Sequence, residues 1–161
     1  MTPLHKSEGV NGFSSALRAI QDQPFMLSTA YGDQLGRPLR EGAHEKIRLF
    51  ENRMITRMQN LLVPMYCHCM VRTLAEQRGA FVRGNSKNDG SKPYPHMAWA
   101  VDIVHGVKQW DLSRESWALI GHIGKEVSTQ NGIRIVWGGD FKSIYDPAHW
   151  ELKDWRGLAK A

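Results

Sequence analysis

The sequence predicts an α+β domain in which helices flank a small antiparallel sheet. Apolar residues recur at helical spacing in several segments, and short alternating or apolar stretches lie between those segments. The connection between the second and last predicted strands is irregular, which does not favour a regular succession of parallel β-α-β units. With 161 residues, the chain can form one domain, residues 1–161, with a core of its own.

The predicted helices are marked by apolar periodicity and by capping residues. Thr73 and Glu76 form a capping box, and Ser113 can cap the last helix, which should stop at Asn131 and Gly132. The predicted helices cover residues 14–21, 43–62, 73–84 and 113–130. Residues 1–41 are otherwise punctuated by Gly and Pro, and we treat them as an N-terminal extension of open role.

Four strands are predicted, and the first of them alternates most clearly. The predicted strands cover residues 65–72, 99–104, 133–137 and the segment around Trp150 and Leu152. In the first strand, Arg72 shares a face with His68, while Cys67 and Cys69 lie on the opposite face. We expect both cysteines to be buried thiols, since a disulfide between residues two apart on a strand would be strained.

Composition narrows the possible partners. The net charge is +5 and the isoelectric point is near 9.4, which suits nucleic acid, anionic lipid or an acidic bacterial envelope, or simply a solvated basic face. The sequence has no base-stacking or helix-turn-helix pattern, so we do not predict that the protein binds nucleic acid. No segment approaches the ~18 apolar residues of a membrane span. The first residues lack a secretory signal. We therefore expect the protein to be made in the host cytoplasm without a signal peptide.

Two histidines each come with a carboxylate at a useful spacing. His96 precedes Asp102 at the start of an apolar strand, where an unpaired carboxylate would cost several kcal/mol to bury. Asp146 precedes His149 by three residues across a proline, so a turn can direct both side chains to one point. Two His and one Asp with an open fourth position form a catalytic zinc arrangement, in which a further carboxylate can act as general base. The alternative is that both histidines are structural and that the Asp-Pro pair only forms a turn.

The other histidines give weaker signals. His105 follows a strand end and is a weak ligand candidate, and His68 lines a cleft or packs in the core. His5, His44 and His122 are expected to have no special role.

Three segments resemble a known family. They are Val71-Arg72-Thr73-Leu-Ala-Glu-Gln77, His96-Met-Ala-Trp-Ala-Val-Asp102 and Trp137-Gly-Gly-Asp-Phe-Lys-Ser-Ile-Tyr-Asp146-Pro-Ala-His149-Trp-Glu-Leu. They are similar to motifs of the zinc D-alanyl-D-alanine carboxypeptidases and phage L-alanyl-D-glutamate endopeptidases. The resemblance spans residues 64–152, the expected peptidase core, and nothing in residues 1–41 matches.

The resemblance implies a site, a fold and an activity. His96, Asp102 and His149 would hold one zinc ion, Asp146 would be the catalytic base, and Arg72 would bind a substrate carbonyl or carboxylate group. The fold would be that of the D,D-peptidase and hedgehog-like zinc peptidases. The protein would be a monomeric phage endolysin that cleaves the stem peptide of peptidoglycan, at the L-alanyl-D-glutamate bond, in the periplasm or cell wall.

Two departures from the family pattern concern the third ligand. Five residues separate His96 from Asp102 where the family usually has six, and Ala98 is the nearest residue to its missing glycine. Tyr94 replaces the serine that precedes the first histidine. His105 is therefore the alternative to Asp102 as third ligand.

Two further functions stay open at this point. A D,D-carboxypeptidase or endopeptidase of the same fold would use the same metal on a different bond. A phage structural or binding protein could keep the fold without catalysis, although the presence of Asp146 and His149 speaks against it.

Overall fold

Helices and short strands are interleaved along the chain in a computed structural model that describes residues 8–161, with side chains described from residue 12. The start of the predicted extension, including His5, lies outside these residues. The helices are α1 (Glu8–Ile20), α2 (Gln23–Met26), α3 (Thr29–Gly36), α4 (Glu45–Asn60), α5 (Leu74–Val82), α6 (Arg114–Gln130) and α7 (Trp155–Ala159). The strands are β1 (Met65–Cys69), β2 (Ala100–His105), β3 (Ile135–Trp137) and β4 (His149–Leu152).

The four strands form one antiparallel sheet in the order β1-β2-β4-β3. The central strand β2 therefore pairs with β1 on one side and with β4 on the other. A small antiparallel sheet flanked by helices confirms the predicted fold class.

A β-bulge in β1 changes the predicted alternation. Cys67 pairs with Ile103 and Cys69 pairs with Asp102, so His68 is an extra residue with no partner on β2. Such an insertion shifts the side chains that follow it to the other face of the sheet. The prediction of a regular strand over residues 65–72 was wrong, because the strand is bulged and ends at Cys69.

The bulge also separates the two cysteines. Cys67 is buried in the core, as predicted, and burial raises the pKa of its thiol. Cys69 is only partly buried. The expectation that both thiols lie in the core was therefore wrong for Cys69.

The long helices α4 and α6 pack on the sheet. The predicted inward residues of α6 are all buried: Trp117, Ile120, Ile123 and Val127. Ser113 caps this helix through its side chain, and the chain leaves it through Gly132, whose φ is +64°. Trp150 of β4 is fully buried and lies 5.0 Å from Phe50 of α4, centroid to centroid. The apolar pattern of the sequence thus positions the sheet that carries the site.

Residues 8–41 pack against the rest of the chain. The hydroxyl of Ser116 donates a hydrogen bond to the carbonyl oxygen of Ala16, which ties α1 to α6. The buried Tyr31 of α3 donates from its hydroxyl to the carbonyl oxygen of Met65. The described part of the N-terminal segment therefore belongs to the same core as β1. Among the helices of residues 8–161, none has the length and apolar character needed to cross a membrane.

Candidate active site

Three elements bring the predicted ligands together. Asp102 lies in β2 and His149 begins β4, and the two residues stand directly opposite each other in the antiparallel pairing. His96 lies in a short 3₁₀ turn, Pro95–Met97, just before β2. The backbone N–H of Arg72 donates to the carbonyl oxygen of His96 over 2.7 Å, which anchors that turn to the segment after β1.

Both imidazoles face the same carboxylate oxygen. Asp102 Oδ1 lies 3.2 Å from His96 Nε2 and 3.1 Å from His149 Nδ1. Both histidine side chains are more than nine-tenths buried. The shortened spacing between His96 and Asp102 does not keep the two side chains apart.

The outer nitrogen of each ring is occupied by an acceptor. His96 Nδ1 lies 3.0 Å from the carbonyl oxygen of Met70, and His149 Nε2 lies 2.8 Å from Glu151 Oε1. Both nitrogens of each ring therefore face acceptors, since the Asp102 carboxylate also only accepts. In a neutral ring whose hydrogen is on the outer nitrogen, the inner nitrogen directs a lone pair at Asp102.

This arrangement fits a bound cation. Acceptors that face each other repel unless protons or a positive ion lie between them. Imidazole nitrogen and carboxylate oxygen are common zinc ligands, and an outer acceptor on each ligating imidazole is typical of such sites. His96, Asp102 and His149 thus have the donor types of a zinc site.

The pKa values of the three side chains also indicate that the site favours positive charge. Burial disfavours the charged form of His96 and His149, but the Asp102 carboxylate outweighs burial and raises the pKa of both rings. Burial would raise the pKa of Asp102, yet the two histidines hold it well below its ordinary value. The pKa shifts thus favour positive charge on the rings beside Asp102.

Glu151 is a site residue that the sequence analysis missed. Besides His149, its carboxylate accepts a hydrogen bond from Trp155 Nε1 over 2.6 Å, at Oε2. Glu151 lies two residues after His149 on β4, so both side chains project from the same face of the strand. The two-residue spacing from His149 on a predicted strand could therefore have identified Glu151 from the sequence.

The Trp-Gly-Gly-Asp segment forms the turn that supports Asp146 and His149. The carbonyl oxygen of Gly138 accepts a hydrogen bond from the backbone N–H of Asp146 over 3.1 Å. A Cβ atom at Gly138 would overlap the carbonyl oxygen of Asp146 and crowd the Cβ of His149. Glycine is required there because two backbone segments meet without space for a side chain.

Asp146 lies within the electrostatic reach of the ligand set. Burial and the Asp102 charge raise the pKa of Asp146, while His149, His96 and Arg72 lower it. The net result is a pKa above the ordinary value. Asp146 is thus a partly buried carboxylate whose charge interacts with both imidazoles.

Arg72 follows the end of β1 and is partly buried. Its Nη1 donates to Gln77 Oε1 over 2.8 Å. Arg72 does not pair with the nearby Glu76, whose carboxylate completes the capping box with Thr73. Gln77 is itself buried and donates to Ser86 and to the Asn88 carbonyl, so it holds Arg72 from a fixed position.

Among the described residues, the other histidines are not part of this group. The alternative ligand His105 is buried at the far end of β2, where its Nε2 lies 2.8 Å from the carbonyl oxygen of Ile20. Its Nδ1 accepts from two backbone N–H groups, so both ring nitrogens have structural partners. His68 is exposed and lies edge-on to Trp110, and His44 caps α4.

The structure adds a donor that the sequence analysis assigned to the core. The side chains of Cys69, His96 and Asp102 offer metal-ligating atoms that all lie within 4.8 Å of one another. The sequence could not reveal this neighbour, because the bulge at His68 is what turns Cys69 toward the site.

Comparisons with known proteins identify a shared fold. No family profile and no curated protein sequence matches the chain. The fold is similar to that of the L-Ala D-Glu endopeptidase ChiX of Serratia marcescens, with a TM-score of 0.52 and 22% sequence identity. The similarity covers 76% of this chain and 93% of the ChiX chain.

Proposed function

We propose that the protein is a zinc-dependent peptidoglycan endopeptidase that cleaves the stem peptide at its L-alanyl-D-glutamate bond. The observation that carries this proposal is the convergence of two buried imidazoles on Asp102, together with a partly buried Asp146 whose charge interacts with all three. The fold shared with an L-Ala D-Glu endopeptidase supports the same reaction class.

His96, Asp102 and His149 would hold the zinc ion. A bound zinc ion polarises a carbonyl group and lowers the pKa of a water molecule. Glu151 orients His149 through its Nε2 hydrogen and increases the basicity of the inner nitrogen.

Asp146 would move the proton during hydrolysis. Its carboxylate accepts a proton from the attacking water as the new carbon–oxygen bond forms. It then donates that proton to the amide nitrogen as the carbon–nitrogen bond breaks, which leaves an alanine carboxyl end and a glutamate amine.

Arg72 would position the substrate. One guanidinium nitrogen is held by Gln77, and the remaining donors of the planar fork can bind a carbonyl or carboxylate oxygen of the stem peptide. The net charge of +5 suits the acidic bacterial envelope. We therefore propose peptidoglycan as substrate and phage-directed lysis of the host wall as the biological role.

A purified-peptidoglycan assay tests this proposal. The zinc-loaded protein should release soluble fragments, a chelator should stop the release, and added zinc should restore it. His149→Ala should abolish both zinc binding and release, while His122→Ala, which removes an exposed histidine of α6, should leave both intact. Release that persists in the chelated protein would overturn the metal-dependent mechanism.

A further inference from the structure

Cys69, Asp102 and His149 form a row across three strands. Cys69 pairs with Asp102 between β1 and β2, and Asp102 pairs with His149 between β2 and β4. Residues directly opposite each other in antiparallel strands project from the same face of a sheet. The cysteine side chain therefore emerges on the face that carries the two predicted ligands.

The bulge at His68 is responsible for this placement. Without the extra residue, the alternation of β1 would turn Cys69 to the same face as Cys67, whose side chain is buried in the core. Bulges beside functional sites redirect single side chains in this way. The residue that the bulge redirects here carries a sulfur donor.

The donors around Cys69 are arranged for an ion. The ligating atoms of Cys69, His96 and Asp102 lie within 4.8 Å of one another. The side chain of His96 is only 5% exposed, and its outer nitrogen is used by the Met70 carbonyl. When the neutral ring keeps its hydrogen on this outer nitrogen, the inner nitrogen offers a buried lone pair to a cation.

We propose that Cys69 supplies a sulfur ligand to the same ion that His96 and Asp102 hold. This inference rests on the metal centre of the proposed function and extends its ligand set. On binding, the thiol releases its proton to solvent and the sulfur coordinates as the thiolate. A sulfur ligand favours zinc over the harder ions magnesium, calcium and manganese. Together with His149, Cys69 would make four protein ligands, so the attacking water would need a fifth position, to which catalytic zinc sites can expand.

Cobalt substitution tests the sulfur ligand without relying on turnover. The full-length protein is stripped of metal, loaded with Co²⁺, and its absorption spectrum is recorded. The visible d–d bands report that cobalt is bound, and a near-ultraviolet charge-transfer band reports a sulfur–cobalt bond. The chain contains only two cysteines, so Cys69→Ser and the matched control Cys67→Ala identify the sulfur.

The wild-type protein and Cys67→Ala should show both kinds of band, and Cys69→Ser should lose the charge-transfer band while keeping the d–d bands. If Cys69→Ser does not fold, a charge-transfer band retained in Cys67→Ala still identifies Cys69. Wild-type d–d bands without a charge-transfer band would overturn the sulfur ligand and leave the metal centre standing. The absence of d–d bands would instead overturn the metal centre of the proposed function.

Discussion

Asp102 and His149 stand directly opposite each other on adjacent antiparallel strands, and Asp102 Oδ1 lies 3.1 Å from His149 Nδ1. The register of the sheet therefore fixes the relative position of two proposed ligands that are far apart in sequence. His96 approaches the same oxygen from the turn before β2. The site depends on the pairing of β2 with β4 and on the turn that leads into β4.

Substitution of Asp102 and substitution of Asp146 should have different effects on zinc binding and turnover. Asp102→Ala should lose zinc, because it deletes the carboxylate between the two imidazoles. Asp146→Ala should keep zinc and fold but lose turnover by ~10²–10⁴, the usual contribution of a general base. Elemental analysis and peptidoglycan turnover measure the two effects. Equal metal loss in both variants would mean that Asp146 is a ligand and not the base.

Glu151 should control zinc affinity through His149. Glu151→Gln weakens the acceptor on His149 Nε2, so zinc affinity should fall roughly 10–100-fold, as for other outer partners of metal ligands. Competition with a chromophoric chelator gives the affinity. The matched control Glu115→Gln changes an exposed carboxylate at the start of α6 and should have no effect. Unchanged affinity in Glu151→Gln would remove Glu151 from the site.

Arg72 should affect turnover without affecting the metal. Arg72→Lys keeps the charge but loses the planar fork, so turnover should fall steeply while zinc content and thermal stability stay nearly unchanged. Arg78→Lys, an exposed arginine of α5, is the control for a conservative change nearby. Wild-type turnover in Arg72→Lys would contradict a role in substrate positioning and leave Arg72 only its structural contact with Gln77.

Gly138 should tolerate no side chain. Gly138→Ala would push the Asp146 backbone and His149 apart, so it should lower stability by about 1–3 kcal/mol, the cost of overpacking, and reduce activity. Gly157→Ala in α7 meets no neighbouring atom and should be neutral or stabilising by up to about 1 kcal/mol. Thermal unfolding of the two variants compares them directly. A Gly138→Ala protein as stable and active as wild type would contradict the account of this turn.

Local signals in the sequence predicted most of the elements. The Thr73 capping box, the Ser113 cap and the inward face of α6 follow from side-chain chemistry and periodicity, and all three are present. The predicted strand at residues 133–137 begins two residues later, at Ile135. Helices α2 and α3 were missed, because Pro24 and the glycines of residues 29–36 indicated loop rather than helix. The five-residue helix α7 was also not predicted.

Only those site residues that form carboxylate–histidine pairs or belong to the family motifs could be predicted from the sequence. His96, Asp102, Asp146 and His149 were found from carboxylate–histidine spacing and from motif resemblance. The structure brings His96 and His149 to Asp102, and the charge of Asp146 interacts with all three. Cys69 was not predictable, because a bulge depends on how β1 pairs with β2 rather than on the composition of β1 alone. The structural role of His105 likewise depends on a distant partner, the carbonyl oxygen of Ile20.

Mass spectrometry of digested peptidoglycan tests the central claim most directly. Purified peptidoglycan is incubated with the zinc-loaded protein and with Asp146→Ala, and the new peptide termini are identified. The proposed endopeptidase should create free L-alanine carboxyl ends and free D-glutamate amines, which Asp146→Ala should not. Release of terminal D-alanine would instead identify a D,D-peptidase of the same fold, and a digest with no new termini would contradict catalysis by this site.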